Sequence, residues 1–357
     1  MKRIVLAMLA ASVLTLAGGL PRDAWAQTHG GTGILKIKPA ARATGMGQAG
    51  VALSQRAHSV WWNPALLSDI QRPEVSSTMA KLVPDLADDV YYLNMAYAGT
   101  LGDWGGYGVD VMYLSYGQTE ATTEEGESRG FFTSYEFVPA VGAGLKLYAG
   151  EPHSTLTDID VGMAMKYVRV DLAPAWAMSV AGVENKDGSA DAFGVDIGFA
   201  LRGEILRPFA VGVNVQNLGS NLVFIDADDA DPLPRNLKMG LAVDVYDSEF
   251  LRVVGAFDFN KALISYPEHS YEEQRPQIGW GDMKELLNMG AEFSIHDRLH
   301  FRLGYVDDPE GEIEALTFGA GLDVSFGSSR TIRFDYSSVP QALDLARVSY
   351  LSVGMQL

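Results

Sequence analysis

Alternation of apolar with polar or small residues, renewed segment after segment, constrains this chain more than any other feature. Successive side chains of a β-strand point to opposite faces, so a period of two marks an extended segment with two unlike sides. Leu316, Phe318, Ala320, Leu322, Val324 and Phe326 alternate with Thr317, Gly319, Gly321, Asp323 and Ser325. Phe193, Val195, Ile197, Phe199 and Leu201 alternate with Gly194, Asp196, Gly198, Ala200 and Arg202. Followed along the chain, the pattern predicts strands at 74–83, 90–100, 105–116, 133–149, 157–171, 190–202, 206–218, 235–247, 249–260, 285–297, 298–307, 313–326, 329–338 and 346–357. Most exceed the ~5–6 residues of a soluble strand and suit the ~9–11 that a tilted strand needs to cross hydrocarbon.

The links give an independent reading. Those after even-numbered strands are short, as at Gly102–Trp104, Gly203–Ile205 and Asp297–Arg298. Those after odd-numbered strands are mostly long, as at Gly117–Phe132, Leu172–Ser189, Gly219–Pro234 and Ala262–Lys284. Short turns at one end and long loops at the other mark a transmembrane barrel.

One face of these segments is Val, Leu, Ile, Phe, Met and Tyr. The other carries Gly, Ala and charges of both signs, among them Asp110, Lys166, Asp196, Arg202, Lys238, Asp258, Glu292, Arg302, Asp323, Arg333 and Asp335. In lipid every backbone N–H and C=O needs a partner within the protein, so a membrane sheet must close. The expected fold is therefore all-β: a fourteen-stranded antiparallel transmembrane barrel over 74–357, apolar face to lipid and polar face to the lumen. A soluble barrel or sandwich with the apolar face inward would need a very wide core. Fourteen strands leave a lumen too wide for their own side chains to fill. The less regular, Gly-rich stretch 27–73 is the expected N-terminal plug within it.

Residues 1–26 read as a signal peptide. Lys2 and Arg3 precede an apolar run from Ile4 to Leu20, and Ala24-Trp25-Ala26 places small residues for cleavage before Gln27. A retained anchor is the rival reading. With no Cys in the chain, lipoprotein anchoring is excluded. The formal net charge is −18, which repels nucleic acid. No later run of 18 apolar residues supplies a membrane helix.

Within the plug stretch, Ala41-Arg42-Ala43-Thr44-Gly45-Met46-Gly47-Gln48-Ala49 leads to Val51-Ala52-Leu53, and then to Ser59-Val60-Trp61-Trp62-Asn63-Pro64-Ala65-Leu66-Leu67. Over residues 34–70 this resembles the plug signature of FadL-like fatty-acid transporters, and more closely the PorV/PorQ-like branch of that superfamily. The resemblance implies an N-terminal hatch inside a fourteen-stranded outer-membrane barrel, without enzymatic activity or cofactor. It implies one of two roles: holding exported proteins for type IX secretion, which the PorV-like pattern favours, or taking up long-chain fatty acids and other hydrophobic compounds. The implied surroundings are outer-membrane lipid and lipopolysaccharide, with cargo or secretion components as protein partners. The chain departs from its relatives in ending on Leu357 rather than an aromatic residue. It also carries Gln55-Arg56-Ala57-His58 where an acidic pair often stands.

The residues of the hatch support two readings. Pro64 fixes its own φ and pushes Asn63 out of helical geometry, and an Asn there bonds nearby backbone. Trp61, Trp62, Asn63, Pro64, Ala65 and Arg42 are the candidate site, either as a gate or ligand-facing wall, or as a packed turn that ties plug to barrel. The dispersed His residues fit no metal-ligand spacing, and no GxSxG elbow occurs. The one weak metal candidate is the acidic run Asp226, Asp228, Asp229 and Asp231, whose carboxylates suit Ca²⁺ but lack EF-hand spacing. Those residues, with Glu120, Glu124, Glu125 and Glu127 of the 117–132 link, are expected to meet lipopolysaccharide or a partner through divalent cations.

Overall fold

The computed structural model describes residues 32–183, 186–224, 230–265, 277–278, 285–309, 311–327, 330–342 and 345–357. The expected leader, 1–26, lies outside them. Fourteen strands close into one antiparallel barrel. They are β1 (Glu74–Lys81), β2 (Val90–Thr100), β3 (Gly105–Thr122), β4 (Ser128–Ala149), β5 (Asp158–Asp171), β6 (Ser189–Glu204) and β7 (Pro208–Gly219), then β10 (Asn236–Asp247), β11 (Leu251–Ala262), β14 (Leu286–Ile295), β15 (Leu299–Asp308), β16 (Ile313–Phe326), β17 (Arg330–Val339) and β18 (Val348–Gln356). Two short ladders, β8 (Asn221–Leu222) with β9 (Asp231–Pro232) and β12 (Ile264–Ser265) with β13 (Gln277–Ile278), stand outside the barrel sheet in the long links. The ring closes where β1 meets β18, from Glu74 opposite Gln356 to Ala80 opposite Tyr350. Closure leaves no exposed sheet edge, which membrane burial requires.

The expected strands hold to within a few residues, with one correction. The link at 117–132 is not an open loop. β3 continues to Thr122 and β4 begins at Ser128, with Thr119 paired to Phe132 and Glu120 to Phe131. A register shift between Ser115 and Gln118, with Gly117 at φ +79°, moves the alternation by one position and hides the continuation. Glu120 therefore sits in a strand, whereas Glu124 and Glu125 sit in the turn.

Outward side chains leave a continuous apolar band. Met95, Met163, Ile197, Phe301 and Leu351 are each more than half exposed, and Phe193 is 65% exposed. A soluble protein does not leave apolar patches of this extent bare. Toward the long-loop end, Tyr91, Tyr113 and Tyr135 pack side by side on β2, β3 and β4, with centroids 6.1 and 5.8 Å apart. Toward the short-turn end, Tyr97 lies 6.0 Å from Tyr107. Aromatic girdles of this kind mark the interfaces of a membrane barrel.

The lumen face is not uniformly polar, which corrects a second expectation. Toward the loop end, Tyr92, Met112, Leu114, Val138, Val168, Val170 and Tyr350 point inward and pack with Ile34, Leu35 and Trp62 into one buried apolar cluster. Toward the turn end the inward side chains are charged along one arc, whereas on the other Ala96, Ala98, Ala140 and Ala164 pack on Val60, Leu67 and Ile70 of the plug. A cavity remains beside the charged arc. Among the described residues, no helix is long and apolar enough to cross a membrane.

Candidate functional site

Residues 32–73 form a chain of short helical turns inside the barrel. They include α1 (Ala41–Gly45), α2 (Ser59–Trp62) and the 3-10 segment Pro64–Asp69. The last begins at Pro64 because the ring presets φ and lacks the N–H that a first helical position would leave unbonded. Asn63 caps it in extended geometry, φ −165° and ψ 106°, and its Oδ1 accepts from the Ala65 N–H at 3.1 Å. Its Nδ2 donates to Val51 O at 3.0 Å within the plug and to Phe199 O at 3.1 Å on the wall. Asn63 is fully buried, so these bonds form away from competing water. Asn63→Ala is expected to cost about 1–3 kcal/mol by taking their side-chain partner from the Ala65 N–H and the Val51 carbonyl. Thermal unfolding in detergent checks this, and Asn63→Asp should not restore the two carbonyl contacts.

The indoles are held from several sides. Trp61 and Trp62 meet edge to face, centroids 4.9 Å apart. Trp62 Nε1 donates to Pro39 O at 3.0 Å. Asn214 and Gln216 on β7 donate to the Trp62 and Trp61 carbonyls at 2.9 and 2.6 Å. The Lys238 ammonium lies 3.8 Å above the Trp61 ring and 5.3 Å from that of Trp62, where the ring faces attract a cation. Trp61 is 5% exposed, Trp62 1% and Ala65 wholly buried. This is the geometry of a packed turn tying plug to wall.

Arg42 does the same work across the lumen. Its Nε and Nη2 grip both oxygens of Glu292 at 2.9 and 2.8 Å, and its Nη1 donates to Ser54 O at 2.9 Å. Glu292 also accepts from Arg302 Nε at 2.6 Å, and Arg302 Nη1 donates to Asp335 at 2.6 Å. On another arc of the wall, Asp258 accepts from the Gly50 and Val51 amides at 2.7 and 2.9 Å. Near the plug's start, Glu136 accepts from the Gly33 and Ile34 amides at 2.9 and 3.1 Å, and from the Thr32 and Tyr116 hydroxyls. At the turn end Asp69 pairs with Arg202. Burial raises the Asp69 carboxyl above its ordinary value, against the pull of that guanidinium.

Below the charged network, toward the turn end, lies a cavity of about 500 Å³. Arg42, Arg56, Glu292, Arg302, Asp323 and Arg333 are among its walls. All of these except Arg42 and Arg56 had been assigned to the lumen face by alternation. Glu136 is not among the residues so assigned; it pairs with Leu114, just before the register shift on β3. Its only earlier signal is a carboxylate at an interior strand position, between Tyr135 and Phe137.

The metal candidate is only partly visible: Asp226, Asp228 and Asp229 lie outside the described residues, and Asp231 sits half-buried in β9. Among the described residues, no group of three or more His, Asp or Glu side chains is placed to hold a metal. His300 bonds Ser294 at 2.8 Å and His296 meets Phe250 edge to face, so the two do not converge. Glu127 pairs with Arg129 at 3.2 Å.

Solved structures share this architecture at low identity. The Ralstonia pickettii toluene transporter TbuX is 14% identical with a TM-score of 0.53, covering 92% of this chain and 98% of its own. The Pseudomonas putida toluene transporter TodX is 14% identical with a TM-score of 0.51, covering 88% and 95%. At these identities the likeness concerns the fold. A search of curated proteins returns no match. The family model described as type IX secretion system protein PorV matches residues 24–269, well over half of the chain. With a closed fourteen-stranded barrel around an inserted plug, and that match along its length, this chain belongs to the PorV family of outer-membrane β-barrel proteins.

Proposed function

We propose that this protein is a closed, non-enzymatic outer-membrane scaffold that holds secreted proteins at the cell surface for a type IX-like secretion system. The family supports this, and the plug is the observation that carries it. A channel must let its lumen pass a solute. Here the hatch is tied to walls on several sides by buried charge-assisted bonds, Arg42 to Glu292 and Asp258 to the Gly50 and Val51 amides. Bonds of this kind are roughly twice as strong as neutral ones. Trp61 and Trp62, where a hydrophobic ligand would have to lodge, are spent on Lys238, Pro39 and each other. The turn-end cavity is walled by ion pairs, poor surroundings for a hydrocarbon. What remains for recognition is the outer surface, where the β3–β4 ribbon rises past the ends of its neighbours. β2 begins opposite Tyr116 and β5 ends opposite Tyr135.

The second reading, uptake of hydrophobic compounds, is favoured by the apolar lining of the loop-end half of the lumen and by the fold shared with toluene transporters. Affinity purification from native outer membrane, with mass spectrometry of bound proteins and bound lipids, separates the two. Secretion components or exported proteins are expected to co-purify. A stoichiometric fatty acid or hydrocarbon with no protein partner would reverse the assignment.

A further inference from the structure

On the turn-end cavity, Arg56 is held more loosely than Arg42, Arg252, Arg302 and Arg333 beside it. Arg42 spends three nitrogens on Glu292 and Ser54. Arg302 bonds both Glu292 and Asp335. Arg333 grips both oxygens of Asp323, and Arg252 both of Asp244. Among the described residues, Arg56 makes a single side-chain hydrogen bond, Nη1 to Glu74 at 3.3 Å, and its side chain remains 37% exposed. Among the described residues, the Nε and Nη2 donors have no protein acceptor.

Backbone geometry holds it there at a cost. Arg56 has φ +58°, in the left-handed region that residues with a β-carbon disfavour. Strain of that kind persists where surrounding structure imposes it, and it gathers at binding sites. The Arg56 side chain stands between the main cavity and an adjoining hollow of about 30 Å³, and both spaces share Arg42, Glu74 and Arg333 as walls. Burial, and then the like charges of Arg333 and Arg42, depress its pKa below the usual guanidinium value. The surroundings of Arg56 therefore favour added negative charge. The volume admits a small polar molecule with its water, and the opening lies on the turn side, which in an outer-membrane barrel faces the periplasm.

We propose that Arg56, flanked by Arg42 and Arg333, is the anchor of an oxyanion site in this cavity, taking a carboxylate or phosphate from the periplasmic side. A planar fork with two donors to spare matches either group in bidentate fashion. Glu74 is the internal competitor that holds the fork when the site is vacant.

Calorimetry on the full-length protein in neutral detergent and chloride buffer tests this, with inorganic phosphate in one arm and succinate in the other. Saturable binding of at least one anion is expected. Binding of phosphate alone or of succinate alone identifies the source of the oxyanion. Arg56→Gln should weaken binding at least about tenfold, the worth of one charge-assisted bond. Arg252→Gln, on the same cavity but held through Nη2 to both oxygens of Asp244 at 2.8–2.9 Å, should leave it unchanged. Glu74→Gln should tighten binding severalfold, which keeps the test decisive if the Arg56 variant does not assemble. No saturable binding of either anion, equal loss in the Arg56 and Arg252 variants, or weaker binding in Glu74→Gln would overturn the site.

Discussion

Glu292→Ala is expected to unseat the plug while leaving the barrel able to close. Glu292 is 5% exposed and is the shared acceptor of Arg42 on the plug and Arg302 on β15. Removing it leaves two guanidinium groups facing each other in a buried space. Arg302 keeps Asp335, but Arg42 keeps only the Ser54 carbonyl. Breaking a buried pair by deleting one partner costs about 3–5 kcal/mol, mainly because the remaining charge has lost its hydration and gained nothing. The wall itself depends on the main-chain ladder of β11, β14 and β15, which the substitution does not touch. The loss should therefore appear first in the plug. Lys36, Lys38, Arg42 and Arg56 should become accessible to trypsin in the folded, heat-modifiable barrel, and the unfolding temperature should fall by several degrees. Glu292→Gln, which keeps the shape and one acceptor oxygen but drops the charge and turns the other oxygen into a donor, should fall between wild type and Ala. Wild-type unfolding together with a fully protected plug in Glu292→Ala would mean that the ion pair does not hold the hatch.

The strands were legible because membrane burial imposes a two-sided pattern with few exceptions. Leu316 to Phe326 alternate in sequence and again in space, where Leu316, Phe318 and Leu322 lie bare on the outer face. Charges at interior strand positions, such as Asp258 and Arg302, were legible as lumen-facing for the same reason. Their partners were not. Asp258 is bonded to the amides of Gly50 and Val51, some two hundred positions away, and backbone amides leave no mark in composition. Asn63-Pro64 announced a turn, and the turn is there. That Asn63 would spend its side chain on Val51 and Phe199 depends on where the hatch sits, which local propensity does not encode. The inward apolar residues of the loop-end half, such as Met112 and Val168, were hidden because they are ordinary strand formers facing a plug instead of water.

Glycine in the strands carries a message that alternation alone does not explain, and it sets the second large effect. Gly162 on β5 and Gly304 on β15 face inward at places where the plug backbone touches the wall. A β-carbon on Gly162 would lie 2.3 Å from Ala65 N and from the Pro64 carbonyl carbon, and one on Gly304 would lie 1.9 Å from Gly47 N. Neither neighbour is a flexible side chain, so relief requires backbone movement. β5 is hydrogen-bonded along its length to β4 and β6, whereas the Pro64–Asp69 turn is a single short element. The turn must yield. Gly162→Val is therefore expected to lift the Asn63–Ala65 turn from the wall and break its bond to Phe199 O. Beyond the ~1–3 kcal/mol usual for overpacking, it should open a path for ions past the hatch. Gly255 on β11 is the matched comparison, since a β-carbon there meets only Val245 Cγ2 at 3.6 Å. In planar bilayers Gly162→Val should produce discrete conducting steps absent from wild type and from Gly255→Val. If both glycine variants stay equally silent and equally protected from protease, the wall glycines are not what lets the plug seal the lumen. Contact of this kind between backbones leaves no side chain that can swing aside, so freeing the turn from the wall requires the hatch backbone itself to shift.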